Sequence, residues 1–204
     1  MIAHHPHEAT IMAHATGTLA PGMALVVATH LTFCPACRSL DRLAEAVGGA
    51  LLDDLEPVAL TQGAFDRVTV AAARPVPFAP PRPVAADLPP PLNRMAFGKW
   101  RYLTIGMRFR PLLNGGKYWA GLVEGAAGRT LPSHGHKGAE FTCVLRGSFS
   151  DGEGRYGPGD LVEVDAGLDH QPVIDAGGPC LSFIATEGVR MHGLFGVAQR
   201  VLGL

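Results

Sequence analysis

His30-Leu31-Thr32-Phe33-Cys34-Pro35-Ala36-Cys37 sets three soft or borderline metal ligands within eight residues. On a helix, His30 and Cys34 are four apart and share a face, and Cys37 follows one turn later, so the three can converge on one ion. Zinc closes a structural site with four ligands, and the cluster His4-His5-Pro6-His7 supplies candidates for the fourth. Two helices tied at such a point gain stability that a helical segment of roughly 70 residues otherwise lacks.

The competing reading is a thioredoxin-like redox pair in Phe33-Cys34-Pro35-Ala36-Cys37 at a helix start. The His-x-x-x-Cys-x-x-Cys spacing is the more specific signal, and the βαβ context of a redox motif is missing. His14, by contrast, reads as an ordinary surface or partly buried side chain.

Around the quoted stretch the text is helical. Core-type residues recur at three- and four-residue steps: Ile11, Met12, Ala15, Leu19; then Leu25, Val26, Thr29, Phe33; then Leu40, Leu43, Ala44, Val47, Leu51. Ala20-Pro21-Gly22 breaks the first pair, and Gly48-Gly49 weakens the third without having to end it. The β-branched Val26-Val27 leaves a buried strand over residues 23–32 as an alternative. A further helix is expected over residues 60–73, with Thr61 as a possible cap.

At about residue 74 the composition changes. Eight of the seventeen prolines lie in residues 75–91, a density that removes backbone donors and favours an extended linker. Domain boundaries follow: a helical domain over 1–74, a proline-rich linker over 75–94 and a second domain over 95–204. Residues 1–73 carry seven acidic and three basic side chains, a net of −4, and the remainder is mildly basic.

The second domain reads as all-β. It holds 21 of the 26 glycines. Strands are expected over residues 118–123, 140–149, 160–164, 171–174 and 180–185, divided by glycine-rich turns, as in a sandwich or small barrel. Within it, His134-Gly135-His136-Lys137-Gly138-Ala139-Glu140 puts two imidazoles and a carboxylate at positions of one parity. In extended chain these face one side of a sheet, and Leu168-Asp169-His170 can deliver a third imidazole. Such nitrogen and oxygen donors suit zinc first, with iron, manganese or nickel as alternatives. Cys143 and Cys180 lie in strand text and read as buried, inert thiols, although Cys180 could line the barrel and be oxidisable. His192 reads as exposed.

The whole chain is 47% hydrophobic and 17% charged with a formal net charge of −1. That balance argues against direct nucleic-acid binding, which phosphate neutralisation would drive. No apolar run is long enough for a membrane span, and no Lys or Arg precedes Arg38 to form the positive start of a signal peptide. The expected location is therefore the cytoplasm, where thiols stay reduced.

The remote His followed by His-x-x-x-Cys-x-x-Cys resembles the zinc-binding anti-sigma domain. His4-His5, Gly17-Thr18-Leu19, Leu25-Val26-Val27-Ala28-Thr29-His30-Leu31 and Ala46-Val47-Gly48-Gly49 are similar to the ChrR-type anti-sigma factors in particular. That resemblance implies His5, His30, Cys34 and Cys37 as zinc ligands, with His4 and His7 still open as replacements for His5. The later stretch, with Gly157-Pro158-Gly159-Asp160 leading to a final His, resembles the cupin signature. It implies a metal inside a small jelly-roll barrel, held by His134, His136, Glu140 and His170. The expected fold class is thus multidomain α and β, a zinc-stabilised helical domain followed by an all-β cupin.

The resemblance further implies an anti-sigma factor that sequesters an extracytoplasmic-function-type sigma factor, not an enzyme. The cupin would regulate release under oxidative stress of the singlet-oxygen or organic-peroxide type. Helical faces in residues 11–19 and 60–70 are the expected contacts with sigma. The runner-up is a metal-dependent cupin enzyme such as a dioxygenase, and a third reading is a ligand-sensing cupin with no redox role.

Overall fold

The computed structural model describes residues 2–74, 85, 87–112 and 119–191. Four helices come first: α1 (Glu8–Ala15), α2 (Pro21–Phe33), α3 (Pro35–Asp53) and α4 (Ala64–Ala72). Pro21 and Pro35 open α2 and α3, where a missing N–H costs nothing and the fixed φ suits the first turn. The strand alternative over 23–32 gives way to helix, because α2 is buried nearly all round, Val26, Val27, Thr29 and His30 included. Helix α3 runs through Gly48-Gly49 to Asp53.

Two local expectations need correction. His30, Cys34 and Cys37 do not sit on one helix: α2 ends at Phe33, and Cys34 is extended (φ −104°, ψ 104°) as the N-cap of α3. Thr61 does not cap α4, whose N-cap is Gly63 at φ 72°, a left-handed conformation that glycine adopts without steric penalty.

The rest is β. In chain order the strands are β1 (Arg101–Thr104), β2 (Met107–Pro111), β3 (Trp119–Gly125), β4 (His134–His136), β5 (Glu140–Arg146) and β6 (Phe149–Ser150). Then come β7 (Arg155–Tyr156), β8 (Leu161–Val164), β9 (Val173–Ile174), β10 (Cys180–Thr186) and β11 (Val189–Met191). A six-stranded sheet runs β1-β2-β3-β10-β5-β8, a three-stranded one β7-β6-β9, and β4 pairs with β11. The strand expected over 140–149 divides in two, because Gly147 at φ 70° turns the chain where the Pro179 carbonyl leaves no room for a Cβ. Strands β1 and β2 were not expected from sequence, and neither were β4, β7 and β11. Residue 118, most of the linker (75–84 and 86) and His192 lie outside the described residues.

At β5 and β10 the main sheet is buried on both faces. On β5, Phe141, Cys143 and Leu145 alternate with Glu140, Thr142 and Val144; on β10, Leu181, Phe183 and Ala185 alternate with Cys180, Ser182 and Thr186. The first members of each pair share a core with Ile11 of α1 and with Met23, Val26, Val27 and Leu31 of α2. Val144 and Cys180 instead join Met107, Phe149, Tyr156 and Ile174 between the main and three-stranded sheets. Helix α2 therefore lies directly on the barrel, and four such apolar side chains at about 1.5–3 kcal/mol each make that contact substantial. Leu88 and Leu92, late in the proline-rich region, bury in the same core.

The residues before α1 are also bonded to the barrel. Ala3 and His4 donate their amides to Asp160 Oδ1 (2.7 and 3.0 Å), Leu161 donates to the His4 carbonyl (3.2 Å), and His7 donates to Glu163 (3.0 Å). Of the expected sigma-facing residues on α1, Ile11 is only 1% exposed because α1 packs on α3 and α2, whereas Met12 stays 44% exposed.

Candidate metal centres

The first centre forms where two helices and the N-terminal segment meet. His30, in the last turn of α2, is fully buried. Its Nδ1–H donates to the Gly159 carbonyl at 2.7 Å, which fixes the tautomer and leaves Nε2 with a lone pair. That Nε2 is buried and has no hydrogen-bond partner among the described residues. The break at Cys34 aims its sulfur back toward the site, where it accepts the Cys37 amide at 3.5 Å. His5 Nδ1 lies 3.4 Å from Cys34 Sγ and 3.3 Å from Cys37 Sγ.

One donor atom from each of His5, His30, Cys34 and Cys37 lies within 4.8 Å of the others. Bonds of about 2.3 Å to sulfur and 2.0–2.1 Å to nitrogen imply a sulfur-to-nitrogen edge of roughly 3.6 Å in a zinc tetrahedron. The spacing, the donor set and the orphaned Nε2 all fit that ion. Of the three open histidines, His5 is the one brought to the sulfurs. His4 packs at a tilt against Tyr156 (ring centroids 4.5 Å apart) and faces Asp160, and His7 occupies the N-cap position of α1. His14 ties α1 to α3 through Asp41 at 2.8 Å.

The redox alternative fares poorly. Burial first, then hydrogen bonding and charge from Cys34, pushes the Cys37 thiol up to about 12, opposite to an activated pair. A helix, not a strand, precedes the motif.

The second centre is inside the barrel. Strand β4 carries His134 and His136, β5 begins at Glu140, and His170 is bridged to His134 by two backbone hydrogen bonds. Nε2 of His170 is 3.2 Å from Nε2 of both His134 and His136. Nδ1 of His134 donates to the Pro132 carbonyl (2.9 Å), and Nδ1 of His170 faces Asp151 (3.2 Å), so both rings turn lone pairs inward. Lone pairs this close repel, and a cation among them removes the conflict. A tetrahedral zinc site has a nitrogen-to-nitrogen edge of about 3.3 Å.

Charge states agree with that reading. Burial, then the neighbouring His134 and His170, lowers His136 to about 4, leaving it neutral and able to ligate. Burial raises Glu140 to about 7 against hydrogen bonds from Thr186 and Thr142, and a nearby cation would restore its charge. Glu140 Oε2 is 3.4 Å from His136 Nδ1. His134, His136, Glu140 and His170 each offer a donor within 4.8 Å of the rest. Bound there, a divalent ion would supply Lewis acidity or a redox-sensitive anchor.

Sequence reasoning missed Asp151, which holds His170 and is itself fixed by the amides of Glu153 and Gly154. Its only signal was a place in the Asp151-Gly-Glu-Gly turn. The four cysteines are all free and buried. Cys143 faces the helices and Cys180 the barrel interior, and burial raises both thiols, to about 12 and about 11.

A helical region bearing a two-Cys, two-His set, packed on a barrel bearing a three-His, one-Glu set, defines a helical-cupin protein with two candidate metal centres. Residues 93–190 match the family described as the ChrR cupin-like domain. Over 192 residues the chain is 38% identical to the anti-sigma-E factor ChrR of Cereibacter sphaeroides, covering 91% of this chain and 90% of that one. It is also similar to the crystal structure of Rhodobacter sphaeroides SigE in complex with the anti-sigma ChrR. There the TM-score is 0.77 at 38% identity, over 92% of this chain and 100% of that one. The chain belongs to the ChrR family of anti-sigma factors, and so is a regulatory protein rather than an enzyme. Among the described residues no helix is long and apolar enough to cross a membrane.

Proposed function

We propose that this protein binds an extracytoplasmic-function-type sigma factor in the cytoplasm and keeps it from RNA polymerase. The observation that carries the proposal is α4, a nine-residue helix that buries none of its residues. A helix this short is marginal alone. Its exposed Phe65 and Val68 fall on one face, and α3 presents a parallel case in Leu43, Val47 and Leu51, spaced by four and all exposed. Apolar faces left open on adjacent helices are what helix-in-groove partners cover. The net −4 of residues 1–73 suits a basic, DNA-binding partner and would speed encounter.

In this reading residues 1–74 are the sigma-binding unit, 75–94 the linker and 95–204 the regulatory cupin. Zinc held by His5, His30, Cys34 and Cys37 fixes the helix arrangement. His134, His136, Glu140 and His170 hold a second ion, zinc first and iron, manganese or nickel otherwise. Release under singlet oxygen or organic peroxide belongs to that second site.

The test is co-expression with a sigma factor encoded beside the gene, followed by co-purification and metal analysis. The expected result is a complex with two metal ions per chain of this protein. Cys34→Ser with Cys37→Ser should abolish binding, whereas His134→Ala or Glu140→Gln should keep binding and lose the stress response. Undiminished sigma affinity in the double Cys variant would refute this division of labour.

A further inference from the structure

The sequence Gly157-Pro158-Gly159-Asp160 entered the cupin signature only as a turn on the way to His170. In the structure it reaches out of the barrel to the other metal centre. The Gly159 carbonyl takes the Nδ1–H of His30 at 2.7 Å, a bond buried on both sides. Gly159 has φ +90°, and a Cβ there would stand 2.9 Å from Cβ of Phe33 and 3.0 Å from Cδ1 of Ile2. The turn is therefore seated between the N-terminal segment and the end of α2, where only glycine fits.

Asp160 holds the other side of the same site. Its Oδ1 accepts the amides of Ala3 and His4, and its Oδ2 accepts the Gly157 amide at 2.8 Å and lies 3.5 Å from His4 Nδ1. Burial alone would raise its pKa, but the amides of Gly157, His4 and Ala3 outweigh that and hold it below the usual carboxylate range. His5 follows directly, so the carboxylate sets where its ring begins. The His4 ring rests on Tyr156, a second barrel contact for the same segment.

We propose that the barrel turn 157–160 is the outer support of the N-terminal metal centre, with Asp160 as a positioning residue that aims His5 while the Gly159 carbonyl orients His30. The cupin then governs how tightly the helical site keeps its metal, without touching that metal. Two of the four donors are oriented by a structure on the far side of the linker. Outer partners of this type typically change metal affinity 10- to 100-fold. The inference rests on the metal reading of the His5, His30, Cys34, Cys37 set.

The experiment uses the full chain and zinc alone. Affinity at the helical site is measured by competition with a chromophoric chelator, and affinity at the barrel site is measured in a C34S/C37S background. For Asp160→Asn the expected result is about 10- to 100-fold weaker zinc binding at the helical site, with the barrel site within about threefold of wild type. Unchanged helical-site affinity overturns the proposal, and so does an equal loss at both sites, which marks a merely structural role. Should Asp160→Asn not fold, Asp160→Glu keeps a carboxylate but displaces it from the Ala3 and His4 amides. It should weaken the helical site at least threefold, and no change overturns the proposal. A wild-type chain taking up no zinc at the helical site would instead sink the metal reading, an outcome distinct from normal uptake that Asp160→Asn leaves untouched.

Discussion

Replacing Phe65 and Leu51 with alanine tests the proposed sigma-binding surface without disturbing the fold. Full burial of a Phe or Leu side chain is worth about 1.5–3 kcal/mol. In the free chain Phe65 is 72% exposed and Leu51 63% exposed, so most of that remains to be gained on binding. Each alanine should therefore cost about 1–2 kcal/mol of affinity, roughly 5- to 30-fold in Kd. Sitting on separate helices, the two should add to about 2–4 kcal/mol, on the order of 30- to 700-fold. Stability of the free protein should move by no more than about 0.5 kcal/mol, since little packing is lost. The control is Ile105→Ala: this side chain is 82% exposed, in the turn between β1 and β2 of the barrel, and should leave sigma affinity alone. Titration calorimetry of the sigma factor into each variant, with thermal melts alongside, gives both quantities. Binding by the double variant within twofold of wild type would refute the assignment of the face, as would an equal loss from Ile105→Ala.

Three further outcomes follow from the packing and the charges. Ile11→Ala leaves a cavity where α1 meets α2 and α3, and should destabilise the chain by about 2–5 kcal/mol in a denaturant melt. Stripping metal should lower the melting temperature, and re-added zinc at a thousandfold over its Kd should restore about 4 kcal/mol, a gain reduced in C34S/C37S. Asp175 is held below the usual carboxylate range by the Ser148 hydroxyl, with Ser150 and Arg155 adding to it against burial. Its contribution is present above the unfolded pKa of about 3.9 and is lost as pH falls through the lower folded value. Asp175→Asn should thus cost about 1–2 kcal/mol at pH 7, with the gap to wild type closing in acid melts as pH falls below the unfolded pKa.

Most members of both candidate donor sets were legible in the chain because they lie close together in sequence. His134, His136 and Glu140 need only an extended backbone to face one way, and β4 and the start of β5 supply it. The choice among His4, His5 and His7 could not be read. It depends on Asp160 and Tyr156, more than 150 residues away, which draw His4 to the barrel and leave His5 to the sulfurs. The break at Cys34 was hidden for a different reason: a four-residue spacing fits a continuous helix, and only Pro35 at the first position of α3 hinted at a restart.

The apolar pattern of the helices concealed the largest difference between text and structure. Ile11 and Leu51 look alike in a three-to-four periodicity, yet one is sealed in the core and the other is open. Periodicity says that a face is apolar and leaves unsaid what covers it. The answer lay in the strands: Phe141-Thr-Cys-Val-Leu145 and Leu181-Ser-Phe-Ile-Ala185 are close to continuous apolar runs, as strands buried on both faces require. A barrel with a polar outer face would have alternated. Once β5 and β10 need an outer cover, α2, the helix with almost no polar side, is the element able to provide it. The remaining helical stripes on α3 and α4 then have no partner within the described residues, and it is these that a sigma factor would cover.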